Sequence, residues 1–346
     1  MKTLPPLPQK KDGSFDAETA LKTLLNVEYG DLLRHETKTS FEFQPLSKTG
    51  ARFCAGKAPL HEARVICAFE TGEISFPVRL AIPSDGKKHP FFVALDFFDV
   101  MPSKSLPVEE LVDNGWGVLQ LFYQDVTCDA DFDAPGQNAA DALLSGVEPE
   151  KRCGKIRIWA WAASRALDLL QNVPEFNGNA VVTGHSRLGK TALLAAALDP
   201  RFAGAVSNDA GTAGDALYRA RTETSENVEK ITRRFPYWFL PSFAEYKNRD
   251  DEVPFDQHFL VASAAASVGR VLINSAFGDY WAAPTAQFAS VCAAAPAVGD
   301  DFSDASFPEA PARLFRAHLG FAVRNGVHYF SREDWHAALA YFKHLL

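Results

Sequence analysis

From residue 90 on, the chain alternates short apolar runs with longer stretches of helical spacing. "HPFFVALDFF" and "GWGVLQLFY" read as buried strands, with the "VEELVDNG" helix between them. "IRIWAWAASRALDLLQNV" carries apolar residues at the helical period, and the short strand "NAVVTG" follows it. "RLGKTALLAAALDP" is a helix stopped by proline, and "FAGAVSND" is again a strand. The rest of the series is the strand "GRVLINSAF", the mostly helical "DYWAAPTAQFASVCAAAPAV" and a last strand in "ARLFRAHLGFAVR". "SREDWHAALAYFKHLL" closes the chain as a helix with Ser331 as N-cap and Asp334 three residues on. Alternation of this kind predicts a mostly parallel sheet covered by helices on both faces. The earlier strands "ARVICAFE" and "ISFPVRLAIP", joined by a "TGE" turn, predict an antiparallel edge. Ligands of such sheets bind at the carboxyl ends of the strands, so functional residues are expected just after them.

The 346 residues fit a single α/β domain. Residues 1–60, with the helical patch "AETALKTLLNVEYG", read as an N-terminal extension packing on it. Residues 210–268, after the sixth expected strand, are rich in aromatics and charge and read as an insertion forming a lid or pocket wall. The formal net charge of −8, without a Lys/Arg block, argues against nucleic-acid or anionic-membrane binding. No apolar run approaches the roughly 20 residues of a membrane span. The start "MKTLPPLPQKKDGSF" lacks a signal-peptide apolar region, which predicts a cytoplasmic protein, or a secreted one if a leader has been trimmed. Five scattered cysteines with no C-x-x-C pair predict free thiols, with neither a zinc site nor a disulfide framework.

The stretch Gly184-His185-Ser186-Arg187-Leu188-Gly189-Lys190-Thr191 satisfies two patterns. It formally matches the phosphate-cradling G-x-x-x-x-G-K-[ST] loop. It also sets Ser186 between an apolar strand and an Ala/Leu-rich helix, where a nucleophile elbow holds its serine. About four strands precede it, whereas a P-loop usually follows the first strand of its domain. The elbow reading is the one its neighbours support. A serine hydroxyl needs a base to take its proton, and the N–H of Arg187 at the helix start is placed to hold an oxyanion. His328, in "RNGVHYFS", follows the last strand and is the candidate base. Two acids compete to orient it: Asp279 after the next-to-last strand and Asp209 after the strand that follows the elbow, with Asp215 less well placed. The backbone around Phe97 and Phe98 is a second candidate oxyanion donor. Arg187 and Lys190 flank the serine and can face developing negative charge or an acidic substrate.

The elbow "GHSRLGK" resembles the G-C/H-S-R-x-G-K motif of bacterial glucuronoyl esterases, carbohydrate esterase family 15. The resemblance extends to "WAWAASRALDLL", "DPRFAGAVSNDAGTAG", "FPYWF", "VPFDQHFLVA", "SAFGDYWAAP" and "GVHYFS", over roughly residues 60–345. It implies an α/β-hydrolase fold and cleavage of 4-O-methyl-glucuronate esters, as in xylan–lignin linkages, with no metal or other cofactor. It implies Ser186 as nucleophile, His328 as base, Arg187 as oxyanion stabiliser, and Lys190, Glu226 and Trp281 as sugar contacts. It favours Asp279 as the triad acid, with Asp209 kept as the alternative because fungal members place a Glu there. Fungal members also join a cysteine before the serine to one beside the histidine; His185 and Tyr329 stand at those positions here, so that disulfide is excluded. "WAAP" stands where bacterial relatives often read "WADP". An acetyl xylan esterase or general carboxylesterase is the alternative enzyme, and a P-loop nucleotide-binding protein the remote one. The expected protein is a monomer acting on carbohydrate.

Overall fold

The computed structural model describes residues 3–70 and 72–346; Met1 and Lys2, at the chain start, and Thr71, in the expected "TGE" turn, lie outside them. Ten strands form one sheet: β1 Lys38–Phe43, β2 Leu60–Phe69, β3 Gly72–Ala81, β4 His89–Asp96, β5 Gly117–Phe122, β6 Phe176–His185, β7 Gly204–Asn208, β8 Val271–Ala276, β9 Ala312–Phe315 and β10 Leu319–Arg324. Their spatial order is β1-β2-β3-β5-β4-β6-β7-β8-β10-β9. The six from β5 to β10 in that order are parallel, while β1–β3 and β9 are antiparallel edges.

Strand β4 is buried at every position, in keeping with its apolar run from Pro90 to Leu95. Its side chains divide by parity: Phe91, Val93 and Leu95 join one core, Phe92 and Ala94 the other. The first core is closed by helices Lys155–Leu170, Arg187–Leu198 and His258–Val268. The second is closed by Val108–Asp113 and Arg332–Tyr341, with Trp335 stacked on Phe330 at 4.5 Å and Trp116 on Phe92 at 4.2 Å. The result is the expected three-layered α/β-hydrolase arrangement. Connections leave β4 toward β5 on one side and return to β6 on the other, so the sheet has its switch point beside β6, where a ligand crevice forms. Among the described residues no helix is long and apolar enough to cross a membrane.

Three elements differ from expectation. "KTSFEF" was not recognisable as a strand, yet it pairs with β2 over its whole length as β1. An edge strand has one neighbour and a wetter surface, so it needs little apolar sequence. "ARLFRAHLGFAVR" is two strands, β9 and β10, folded back antiparallel. The third correction concerns the insertion, which ends before His258. Helix His258–Val268 is the β7–β8 crossover, and nearly all of it is buried. A helix apolar all round has no amphipathic period by which to recognise it.

The N-terminal extension is tied to the body by buried polar contacts. Helix Ala17–Leu24 packs on His258–Val268. Just after it, Glu28 accepts from Tyr218 Oη at 2.6 Å and Gln257 Nε2 at 2.8 Å, and Tyr29 Oη donates to the Ala213 carbonyl at 3.0 Å. Full burial pushes the Glu28 carboxyl up to about 7, since its ionised form loses more solvation than these donors restore. All five cysteines are free.

Candidate active site

Strand β6 delivers the chain into a tight elbow at Ser186, which adopts φ 57° and ψ −124°. Such a conformation costs an L-residue about 1–3 kcal/mol and persists only where the surroundings enforce it. Two glycines make it possible. A Cβ on Gly184 would lie 2.3 Å from the Leu188 carbonyl oxygen. A Cβ on Gly189 would press on Ala210 and Ser207, both at 3.1 Å. The Ser186 N–H is anchored to the Asn208 carbonyl at 2.8 Å, and the helix Arg187–Leu198 begins directly after it.

The same geometry removes the phosphate-loop reading. The N–H groups of Gly189 and Lys190 both bond the Ser186 carbonyl and are spent within the helix. Thr191 Oγ1 donates back to the Arg187 carbonyl at 2.9 Å. Lys190 Nζ points down onto the carbonyls of Ala210 and Thr212 and lies 3.7 Å from Glu226. Two of its protons are thereby engaged and Glu226 faces its charge, so Lys190 lines the cleft as a buried, paired ammonium.

The loops after β8 and β10 carry Asp279 and His328, the expected acid and base. They are zipped together by Phe277 N–H to the Arg324 carbonyl (2.8 Å) and Gly278 N–H to the Gly326 carbonyl (2.9 Å). A Cβ on Gly278 would sit 2.7 Å from that Gly326 oxygen, so the approach requires glycine. Asp279 Oδ2 lies 2.5 Å from His328 Nδ1, and its Oδ1 accepts from the Ala282 N–H at 3.2 Å. Asp279 is buried, while the His328 side chain is 40% exposed and so open to the cleft. Buried Arg324 organises the histidine loop by donating to the carbonyls of Asn325, Val327 and Tyr329, and to Asp334 at 2.7 Å.

Asp209 is close to this pair but differently employed. Its Oδ1 accepts from the Ala276 N–H at 2.8 Å and its Oδ2 faces Arg324 at 3.4 Å. Burial, reinforced by the charges of Asp334 and Asp279, raises its carboxyl well above the usual range; Arg324, closer to Asp334, offsets this only in part. Asp209 is therefore held toward its neutral form. Asp215, the third acid considered, is turned inward onto Ser207, Gln287 and the Gly211 N–H. Ligand atoms of Asp209, Asp279 and His328 lie within 4.8 Å of one another, the set that could reach a single cation. A cation taking His328 Nδ1 would have to break the Asp279 bond and would sit near the Arg324 guanidinium, so the set suits proton transfer better.

Arg187 is clamped. Its guanidinium pairs with Asp129 and packs at 4.5 Å from the Trp238 ring, 5.1 Å from Phe235 and 5.4 Å from Phe97. Asp129 is itself fixed by Tyr123 Oη at 2.9 Å and Trp238 Nε1 at 2.7 Å. Its loop is pinned from below by Lys155, whose ammonium donates to the carbonyls of Cys128 and Ala130 and to Gln137. Arg187 Nε is buried and has no hydrogen-bond partner among the described residues. The Phe98 N–H is directed at Asp96, so of the two expected backbone donors that one is engaged.

His185, beside the serine, packs against His328 with ring centroids 4.4 Å apart and planes inclined by 44°, and bonds Asn208 Oδ1 through Nδ1 at 2.6 Å. Burial first, and the neighbouring His328 charge second, push its pKa down to about 3, so it stays neutral. Across the cleft, Trp281 Nε1 donates to Glu226 Oε1 at 3.2 Å.

Ser186, Arg187, Lys190, Asp209, Glu226, Asp279, Trp281 and His328 all line one cleft of about 380 Å³. The sequence did not single out Arg234, Asp129 or Arg324, and the roles of Phe235 and Trp238 were hidden within the "FPYWF" stretch. No local signal separates Asp129 from Asp125, Asp131 and Asp133.

Residues 65–298 match the family model described as glucuronyl esterase, fungi. A carbohydrate esterase from an unknown prokaryotic organism is 35% identical over 242 residues, covering 68% of this chain and 55% of that protein. The 4-O-methyl-glucuronoyl methylesterase 1 of Phanerochaete chrysosporium is 28% identical over 267 residues, covering 69% of this chain and 53% of its own. The chain thus spans about half the length of the curated relatives it matches. A solved promiscuous CE15 esterase from a marine bacterial metagenome superposes with a TM-score of 0.84 at 24% identity, over 100% of this chain and 98% of that one.

Proposed function

Because the chain belongs to the glucuronyl esterase family, we propose that it hydrolyses carboxylic esters of 4-O-methyl-glucuronate through an acyl-enzyme on Ser186. The observation that carries this reading is the 2.5 Å contact between His328 Nδ1 and buried Asp279, in the cleft that Ser186 lines. In this mechanism Asp279 holds the Nδ1–H tautomer, leaving His328 Nε2 free to take the Ser186 proton as Oγ attacks the ester carbonyl. The oxyanion forms beside the Arg187 N–H and guanidinium. The guanidinium is pre-oriented by Asp129 and the aromatic wall, so it need not reorganise as charge develops. His328 then protonates the leaving alcohol, and water, deprotonated by the same imidazole, releases the uronate.

Trp281 and Glu226 form the sugar-binding side of the cleft in this reading. Lys190 supports it from beneath, holding Glu226 and the 210–212 turn, a more structural part than direct contact with sugar hydroxyls. Parallel kinetics on benzyl glucuronate and on acetyl esters test the substrate class. The proposal expects kcat/KM for the glucuronate ester to exceed that for 4-nitrophenyl acetate and acetylated xylan by at least about tenfold, the scale of one well-placed contact. The reverse order would assign the site to an acetyl or general carboxylesterase.

A further inference from the structure

Among the described residues, the cations of the cleft find carboxylate partners with one exception. Arg187 meets Asp129, Lys190 meets Glu226, and His328 meets Asp279. Arg234 lines the same cleft and is exposed, and no carboxylate of the described residues forms an ion pair with it. Its guanidinium lies 5.0 Å from the centroid of Phe235, the ring that Arg187 approaches at 5.1 Å. Glu226 feels the Arg234 charge, yet its oxygens are directed to Trp281 and Lys190. One helical turn earlier, Lys230 stands 5.2 Å from the centroid of the Trp281 ring. It too has no carboxylate partner among the described residues and donates only to the carbonyls of Ser225 (2.6 Å) and Glu223 (3.4 Å).

Lys230 and Arg234 are four residues apart on helix Val228–Arg234, so they share one stripe, and like charges at that spacing weaken a helix. The adjoining stripe shows the ordinary solution, with Glu229 and Arg233 paired at 3.3 Å. An otherwise acidic chain, with a net charge of −8, therefore keeps two uncompensated cations along one rim of its cleft. Both stand on the side of Trp281, Glu226 and Phe235, where the proposed mechanism places the sugar.

We propose that Lys230 and Arg234 form an anion-binding subsite, which takes a carboxylate or sulfate carried by the glycan part of the ester substrate. The proposal rests on the esterase reading and narrows its substrate to acidic glycans with a second negative charge close to the esterified uronate. Two long side chains one helical turn apart can close on the oxygens of a single such group, and their field draws it toward the cleft.

The test uses three benzyl esters: a methyl glucuronoside, the same sugar bearing a sulfate, and the same sugar linked to an unesterified glucuronate. Each is assayed at about 20 and about 300 mM NaCl, a range over which surface charges become largely screened. The wild type is expected to favour at least one anionic ester over the neutral one by about five- to tenfold at low salt, the yield of two partly exposed charge pairs. The preference shrinks at high salt and disappears in the Lys230→Gln/Arg234→Gln double variant. Which anionic ester is favoured distinguishes sulfate from carboxylate. Equal turnover of all three by the wild type, or a preference that survives in the double variant, would overturn the subsite. A protein that hydrolyses none of the three fails the esterase reading instead. Calorimetric binding of the two anionic sugars to the Ser186→Ala protein then judges the subsite alone: salt-sensitive binding lost on adding both substitutions supports it, and no binding overturns it.

Discussion

Replacing Asp279 by asparagine removes the charge that faces His328 and leaves the shape of the loop. The Ala282 N–H requires an acceptor at the position of Oδ1, so the amide oxygen of the new residue is drawn there. Its NH2 is then turned toward His328 Nδ1, where the carboxylate oxygen stood at 2.5 Å. Two donors cannot face each other, so the imidazole shifts to the tautomer with its proton on Nε2 and can no longer accept the Ser186 proton. The imidazolium also loses its counter-charge. With charge centres about 4 Å apart and an effective dielectric constant of about 20, that loss alone is worth about 4 kcal/mol, or about three orders of magnitude in rate. With the tautomer effect added, kcat/KM on benzyl glucuronate is expected to fall about 10³- to 10⁴-fold. Asp209→Asn provides the control. Asp209 is held toward neutrality by burial, and an amide preserves its acceptor for the Ala276 N–H, so activity is expected to stay within about tenfold of wild type. Steady-state kinetics of both variants, with circular dichroism melts to confirm folding, decide the matter. Equal losses, or a larger loss at Asp209, would refute the assignment of Asp279 as the orienting acid.

Other outcomes follow from groups around the site. Glu28 titrates near 7 in the fold against 4.5 in a free chain, so the native state binds its proton more tightly than the unfolded state does. Its burial is therefore tolerated at low pH and costs stability as pH rises from about 4.5 through 7, reaching about 3 kcal/mol at pH 8. Glu28→Gln is expected to raise the denaturation midpoint at pH 8 and to lose that advantage near pH 4.5; a midpoint gain independent of pH would contradict the linkage. His185, held down to about 3, does not titrate in the working range although it packs against His328. The acidic limb of log kcat/KM against pH is thus expected to carry no proton on His185, and a slope of two there would contradict its neutrality. Gly184→Ala would drive a Cβ to 2.3 Å from the Leu188 carbonyl. Activity should drop by more than about 100-fold and Tm by several degrees as the elbow deforms; an active, equally stable variant would contradict the packing account.

What could be read from the sequence was mostly local. Ser186 lies in a strand–turn–helix transition fixed by neighbouring residues, and the two glycines of the elbow are legible because a turn that tight admits little else. Asp279 and His328 could be singled out as neighbours because parallel sheets present the segments after their strands at one edge, which makes position in the chain a guide to position in space. Asp129 was invisible by the same logic. Its importance arises from Lys155, Tyr123 and Trp238, which come together only after the sheet has formed. Arg324 reads as the polar end of a strand, and its five acceptors gather only when the loops after β7 and β10 meet. The strand at Lys38–Phe43 and the helix His258–Val268 escaped for opposite reasons, one too exposed and one too evenly buried to carry a period.

Ser186 bears the central claim, and a single substitution reaches it. The Ser186→Ala protein, compared with wild type on benzyl glucuronate at matched folding, is expected to lose at least about 10⁴-fold in kcat/KM while keeping its Tm within a few degrees. An alanine variant that melts normally and still hydrolyses the ester at near wild-type rate would contradict the acyl-enzyme account.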